Sequence, residues 1–140
     1  MPSQLIYQTS ATATGGRDGA ATLSDSDVSF RLVAPKQPGA PADGVNPEQL
    51  FAAGYAACFL SALKHVAQAQ KVKLPAEAST TTTVGIGPRD EGGFGLEVSI
   101  EVSLPGVDAG TAQALVDTAH QVCPYSNATR GGLSITPTLA

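Results

Sequence analysis

The chain carries two cysteines, Cys58 and Cys123. Such a pair can be a structural staple, half of a metal site, inert packing or a redox couple, and the surroundings of each thiol bear on the choice. Cys58 follows the apolar segment Gly54-Tyr55-Ala56-Ala57 and precedes Phe59. A free thiol titrates near ~8.5 and burial pushes that upward, so reactivity here needs a cation close by. Its own segment supplies none well. Lys64 and His65 follow one and two turns later, and His65, nearly on the same helical face, stands roughly 10 Å further along the axis. Cys123 precedes Pro124, where a short new helix can open with Cys123 as its N-cap, and exposed amides at a helix start favour a thiolate. Packing as a small hydrophobe remains the alternative for both. The two are too far apart for a CxxC motif, so only tertiary folding can join them.

Arg17 and Glu48 are the charged residues with a second reading. Arg17 sits at the tip of Gly15-Gly16-Arg17-Asp18-Gly19. It is either a solvated loop charge or the missing cation, carried on glycine-flanked backbone that can swing over a thiol and pair with Glu48. Glu48 falls in a first helical turn, where the helix dipole alone suits a carboxylate. It precedes Cys58 by about 15 Å of helix and cannot reach it along one straight axis. A metal site from Cys58, His65, His120 and Cys123 has only the His120-x-x-Cys123 half-spacing in its favour, with neither a CxxC nor an HxxxH element. A Cys–His hydrolase has no partner pattern behind it. No metal and no cofactor are expected.

The elements that must position these residues are legible as periodicities. Val28, Phe30 and Leu32 alternate with Ser29 and Arg31, predicting a half-buried strand, with Ala20–Ser24 as its hairpin partner through Asp25-Ser26-Asp27. Pro35–Asn46 reads as a loop. Asn46 as N-cap, Pro47 at the first helical position and Gln49 completing a capping box start a helix that runs to about Lys71. Gly54–Leu63 is apolar on nearly every face, which places that helix at the centre of the fold or at a subunit contact. Ser79–Ile86 and Leu96–Leu104 predict a second strand pair, joined by a long loop over Gly87–Gly95. Asp108 begins another helix, with Ala112, Leu115, Val116, Ala119 and Val122 on its apolar side and Cys123 pointing toward the core. Pro124 ends it. A last strand is expected over Leu133–Leu139, with Pro137 suited to an edge.

The chain's 140 residues make one domain large enough to bury a core without a disulfide. A net charge of −4 argues against nucleic acid or an anionic membrane surface as partner. Met1–Tyr7 lacks the basic and apolar segments of a secretory signal, and the apolar run Ala52–Leu63 is short for a bilayer. The expectation is a cytoplasmic protein whose thiols are normally reduced.

Taken together, Asn46–Phe59 and Cys123-Pro-Tyr-Ser-Asn-Ala-Thr-Arg-Gly131 resemble the two signature segments of the organic hydroperoxide resistance family. Further likeness lies in Thr14–Gly19, Lys73–Pro75, Val84–Pro88 and Gly92–Gly95, so it covers almost the whole chain. Gly131-Gly132-Leu133 departs from the Gly-Asn-Ile expected after the arginine, outside the thiol chemistry. The related osmotically inducible (OsmC-type) family shares the fold and the cysteine pair. The resemblance implies an α+β fold, with antiparallel sheets around a long buried helix, in an intertwined homodimer with two active sites at the subunit interface. It implies a thiol peroxidase acting on alkyl and lipid hydroperoxides. Cys58 then matches the peroxidatic cysteine, Cys123 the resolving cysteine that closes a Cys58–Cys123 disulfide, and Arg17 and Glu48 the residues that activate the thiolate. It also implies recycling by dihydrolipoamide or a lipoylated protein. Phe51 and Tyr55, one turn apart, are candidates to line an apolar substrate pocket, with ordinary core packing the other reading. An osmotically inducible peroxidase and a non-catalytic redox-responsive binding protein are the alternative functions.

Overall fold

A computed structural model of the chain describes residues 1–35 and 43–140. Most of the loop expected over Pro35–Asn46 lies outside the described residues. The architecture is α+β, and its contacts fall into two compact units, Met1–Leu50 and Phe51–Ala140.

The first unit is a three-stranded antiparallel sheet in the order β1 (Ala11–Thr14), β2 (Gly19–Leu23), β3 (Ser29–Leu32). The β2–β3 hairpin is the one predicted, but Val28 is exposed in the turn and the strand begins at Ser29. The β1–β2 connection is built on glycine. Gly15 and Gly16 adopt φ of 75° and 62°, and a Cβ on Gly19 would stand 1.9 Å from the Thr14 carbonyl oxygen. Side chains are excluded there, which fixes the turn that carries Arg17. The unit closes with the start of α1 (Pro47–Ala69). Its capping box is complete: the Gln49 amide donates to Asn46 Oδ1 at 2.9 Å, and the Asn46 amide to Gln49 Oε1 at 2.8 Å.

In the second unit, Tyr55, Phe59, Leu63 and Val66 of α1 pack into a core with Val98, Ile100 and Val102 of β5 (Phe94–Ser103) and Leu115, Val116 and Ala119 of α2 (Ala109–Val122). At 23 residues α1 is long and apolar enough, by length and composition, to cross a bilayer, unlike the shorter run read from the sequence. Its buried residues put one side of the helix on the chain's own core, and 28% of its apolar stretch is buried in this way. Asp108 caps α2 by accepting from the Thr111 amide at 2.9 Å. Val122, expected inward, is exposed. Cys123, four residues after Ala119, takes the inward position instead, fully buried.

Two expectations need correction. β4 (Ser79–Pro88) and β5 pair in register to Pro88↔Phe94, so the expected Gly87–Gly95 loop shrinks to its central residues. Of the expected strand Leu133–Leu139, only β6 (Thr138–Leu139) joins the sheet, parallel to β5 at the edge. Pro137 has no amide to donate, and the ladder starts after it.

The C-terminus of α1 closes without glycine. The Val72 amide donates to the Ala67 carbonyl at 2.8 Å and the Lys71 amide to Gln68 at 3.1 Å, with Lys71 at φ 57°. This is a Schellman closure with a side chain in the left-handed region, which costs an L-residue about 1 kcal/mol or more. Lys71→Gly is expected to stabilise the fold by up to about 1 kcal/mol, net of the greater freedom of glycine in the unfolded chain. A urea midpoint that falls on this substitution would contradict the reading.

Candidate active site

The candidate residues come together as two pairs, one in each unit. In the first, Arg17 at the hairpin tip and Glu48 in the first turn of α1 form a two-pronged ion pair, Nη1 to Oε2 at 2.7 Å and Nη2 to Oε1 at 2.6 Å. The fork matches guanidinium to carboxylate and fixes the arginine plane as well as its position. The Arg17 side chain is 46% exposed and Glu48 only 12%. The bond to Arg17 holds the Glu48 carboxyl below its ordinary range, against a smaller opposing effect of burial, and the same bond raises Arg17.

In the second unit, Cys58 on α1 and Cys123 at the α2–α3 junction are both free thiols, with Sγ atoms 3.7 Å apart. Cys123 is simultaneously the last cap of α2 and the N-cap of α3 (Pro124–Thr129), its φ and ψ of −63° and 124° already extended. That is the geometry a residue before proline is driven to. Cys58 is partly exposed and Cys123 wholly buried, so a molecule from solvent meets Cys58 first. Burial pushes the Cys58 thiol up. The Tyr125 backbone, in the first turn of α3, hydrogen-bonds it in the sense that favours thiolate, and Cys123 adds to the rise.

Phe51 and Tyr55 part company. Phe51 keeps some exposed surface and meets Tyr55 edge-on, ring centroids 6.0 Å apart. Tyr55 is fully buried, its hydroxyl 2.8 Å from Ser126 Oγ, so it has no surface to offer a substrate in this structure and the pocket-lining reading does not hold for it here. The Tyr125 ring lies beside Tyr55, centroids 5.7 Å apart, against Gly54, where a Cβ would come to 3.4 Å of the ring. In the sequence, Ser126 and Tyr125 have no part in the thiol site, and His120 is weighed beside the cysteines only as a metal ligand. The signal is faint: Tyr125 and Ser126 are two polar side chains on the short segment after Cys123, and His120 stands one turn before it. Among the described residues no three His, Cys, Asp or Glu side chains gather to hold a metal ion.

Residues 40–138 match the family model for OsmC-like proteins. The chain is 54% identical to the organic hydroperoxide resistance protein of Xanthomonas axonopodis pv. citri over 140 residues, 99% of this chain and 98% of that one. Among solved structures, the organic hydroperoxide resistance protein of Elizabethkingia anophelis superposes with a TM-score of 0.88 at 48% identity, covering 98% of each chain. OhrB of Bacillus subtilis does so at 0.88 and 40%, covering 97% of this chain and 100% of that one. The chain thus belongs to the OsmC-like family and, within it, to the organic hydroperoxide resistance proteins.

The Glu48 pair has a pH signature. A carboxyl depressed in the folded state contributes stability that is complete above its unfolded value and lost as pH falls through the folded one. An NMR titration of Glu48 is expected to give a midpoint below the usual ~4.3 of glutamate. In Arg17→Ala that midpoint moves back up; a midpoint indifferent to Arg17 would show that the pair does not persist in solution.

Proposed function

We propose that this protein is a thiol peroxidase that reduces organic hydroperoxides to alcohols; its relatives are named for resistance to organic hydroperoxides. The observation that carries the reading is the pair of free thiols 3.7 Å apart, one reachable from solvent and the other buried behind it. A disulfide needs the sulfurs at about 2.05 Å, so the approach is short. In the proposed cycle the Cys58 thiolate attacks one oxygen of the O–O bond. That bond breaks, the alkoxide leaves and takes a proton as alcohol, and Cys58 becomes a sulfenic acid. The Cys123 thiol then displaces water from it to form the disulfide, which removes the sulfenic acid before further oxidation. A dithiol restores both thiols by two exchanges and leaves as its own disulfide. Dihydrolipoamide, free or on a lipoylated protein, is the proposed dithiol, and a reducing cytoplasm the proposed setting.

The reading also gives the ion pair its task. Burial disfavours the Cys58 thiolate, and one backbone amide is a partial remedy. Arg17 is the proposed cation, stabilising the thiolate and hydrogen-bonding the peroxide, with Glu48 fixing its orientation. Phe51 is the proposed apolar contact for an alkyl chain. The exposed small residues Ala53 and Ala57 on α1 support a second copy as the cover of that face, in the proposed homodimer.

Peroxide consumption with dihydrolipoamide as reductant tests this directly, comparing an alkyl or fatty-acid hydroperoxide with hydrogen peroxide. The organic substrates are expected to turn over faster. Cys58→Ser abolishes turnover. Cys123→Ser forms sulfenic acid once and is not recycled through a disulfide, and Arg17→Ala slows the first step by about tenfold or more, as expected for one lost charged contact. Normal turnover in Cys58→Ser would sink the mechanism. Oxidation of the thiols without dithiol-dependent consumption would leave a redox-responsive binding protein.

A further inference from the structure

Behind the two thiols runs a chain of buried polar side chains that the peroxidase cycle does not use. The Tyr55 hydroxyl on α1 lies 2.8 Å from Ser126 Oγ on α3, and Ser126 Oγ lies 2.9 Å from His120 Nδ1 on α2. Tyr55 and Ser126 are shut off from solvent, at 0% and 1% exposure, and His120 is partly buried. One hydroxyl on α3 is therefore tied to both helices that carry the cysteines.

The direction of each bond turns on the tautomer of the His120 ring. The backbone of Ile135 hydrogen-bonds the His120 ring in the sense that favours a proton on it. In the tautomer with that proton on Nε2, Nδ1 is free to accept from Ser126 Oγ. Ser126 donates to Nδ1 and accepts from Tyr55. Thr129 Oγ1, its own proton given to the Tyr125 carbonyl at 2.9 Å, offers Tyr55 a second acceptor, but at 3.4 Å against 2.8 Å for Ser126. The chain thus runs Tyr55 to Ser126 to His120, each hydroxyl with one donor bond. Around the ring stand Arg130, whose Nη2 donates to the His120 carbonyl at 2.9 Å, Asp117, and the Phe59 ring with its centroid 6.4 Å away. Burial and the Arg130 charge hold His120 below its ordinary pKa, with Ile135 and Asp117 acting the other way, so the neutral ring that can accept is favoured.

We propose that His120 is a positioning residue for the thiol pair: by accepting the Ser126 hydroxyl it pins α3 to α1 and α2, holding the first turn of α3, with Cys123 Sγ, against the Cys58 sulfur. The hydroxyl sits three residues past Cys123 and one past Tyr125, so releasing it loosens the bend at Cys123-Pro124 and the Tyr125 amide together. The inference deepens the peroxidase reading by naming what sets the geometry of its thiols, and rests on that reading for its role in the cycle. The geometry itself is testable without peroxide.

Alkylation of the native chain by iodoacetamide across pH reads Cys58, because Cys123 is buried. His120→Leu fills the space of the ring and removes the acceptor. It is expected to shift the alkylation profile to higher pH and lower the rate at neutral pH by roughly three- to tenfold, since a pKa unit is tenfold in thiolate and one hydrogen bond to it is weakened, not lost. Disulfide closure by diamide should slow in the same variant. His120→Asn places an amide oxygen near the position of Nδ1 and should recover most of both rates. Equal losses in the Asn and Leu variants would reduce His120 to packing and overturn the proposal, as would a Leu variant that titrates like the wild type. Nitrogen NMR of the unsubstituted protein is the second test, free of any folding defect. It should find His120 neutral with the proton on Nε2, and a proton on Nδ1 would overturn the chain. If the wild type consumes no organic hydroperoxide while these differences persist, the proposed function fails and the positioning role stands.

Discussion

Proline at position 124 has no amide to carry α2 onward, and it drives Cys123 into extended backbone. Everything at the thiol pair depends on that interruption. Had α2 continued, residue 123 would be one more buried position in the stripe of Ala112, Leu115, Val116 and Ala119, and its sulfur would point into packing. The break makes Cys123 the shared cap of two helices and turns the start of α3 toward α1. Cys58 there meets a buried thiol and a backbone amide.

A bend between two short elements is soft unless something other than the backbone holds it. α3 has six residues, too few for much stability of its own. What holds it is burial of Cys123 and Ser126 together with the hydrogen bonds that Ser126 makes to Tyr55 and His120. A buried hydroxyl without partners costs about 1–3 kcal/mol. That penalty makes Ser126 a selective anchor: it is satisfied at one place and penalised elsewhere. The Arg17–Glu48 pair works differently. Half-exposed, it is screened by water and adds little stability, but its two parallel bonds fix the direction in which a cation is presented.

Much of this architecture was legible in the residue pattern because the deciding forces are local or periodic. The capping box at Asn46, the Asp108 cap, the alternation of β5 and the break at Pro124 depend on residues within a few positions of each other. Elsewhere, partners from distant sequence decided. Gly87, Pro88 and Gly95 have turn-like composition, yet with Phe94 they extend the hairpin, because the long β4–β5 ladder carries its register through to Pro88↔Phe94. Leu133 and Ile135 looked like strand and pack on the core without joining a ladder. Val122 fits the apolar stripe of α2, but the inward site at that end was taken by Cys123.

By itself the sequence determined the inventory and its family: two cysteines, an arginine on a glycine turn, a carboxylate in a first helical turn, and signature segments long enough to be recognised. It determined these because they are properties of short segments. Only the tertiary structure decided that the sulfurs lie 3.7 Å apart, that Cys58 is the thiol open to solvent, and that Tyr55 supports the site from within. Distances between residues on separate helices come from how side chains fill a shared core, and no spacing along one chain encodes them.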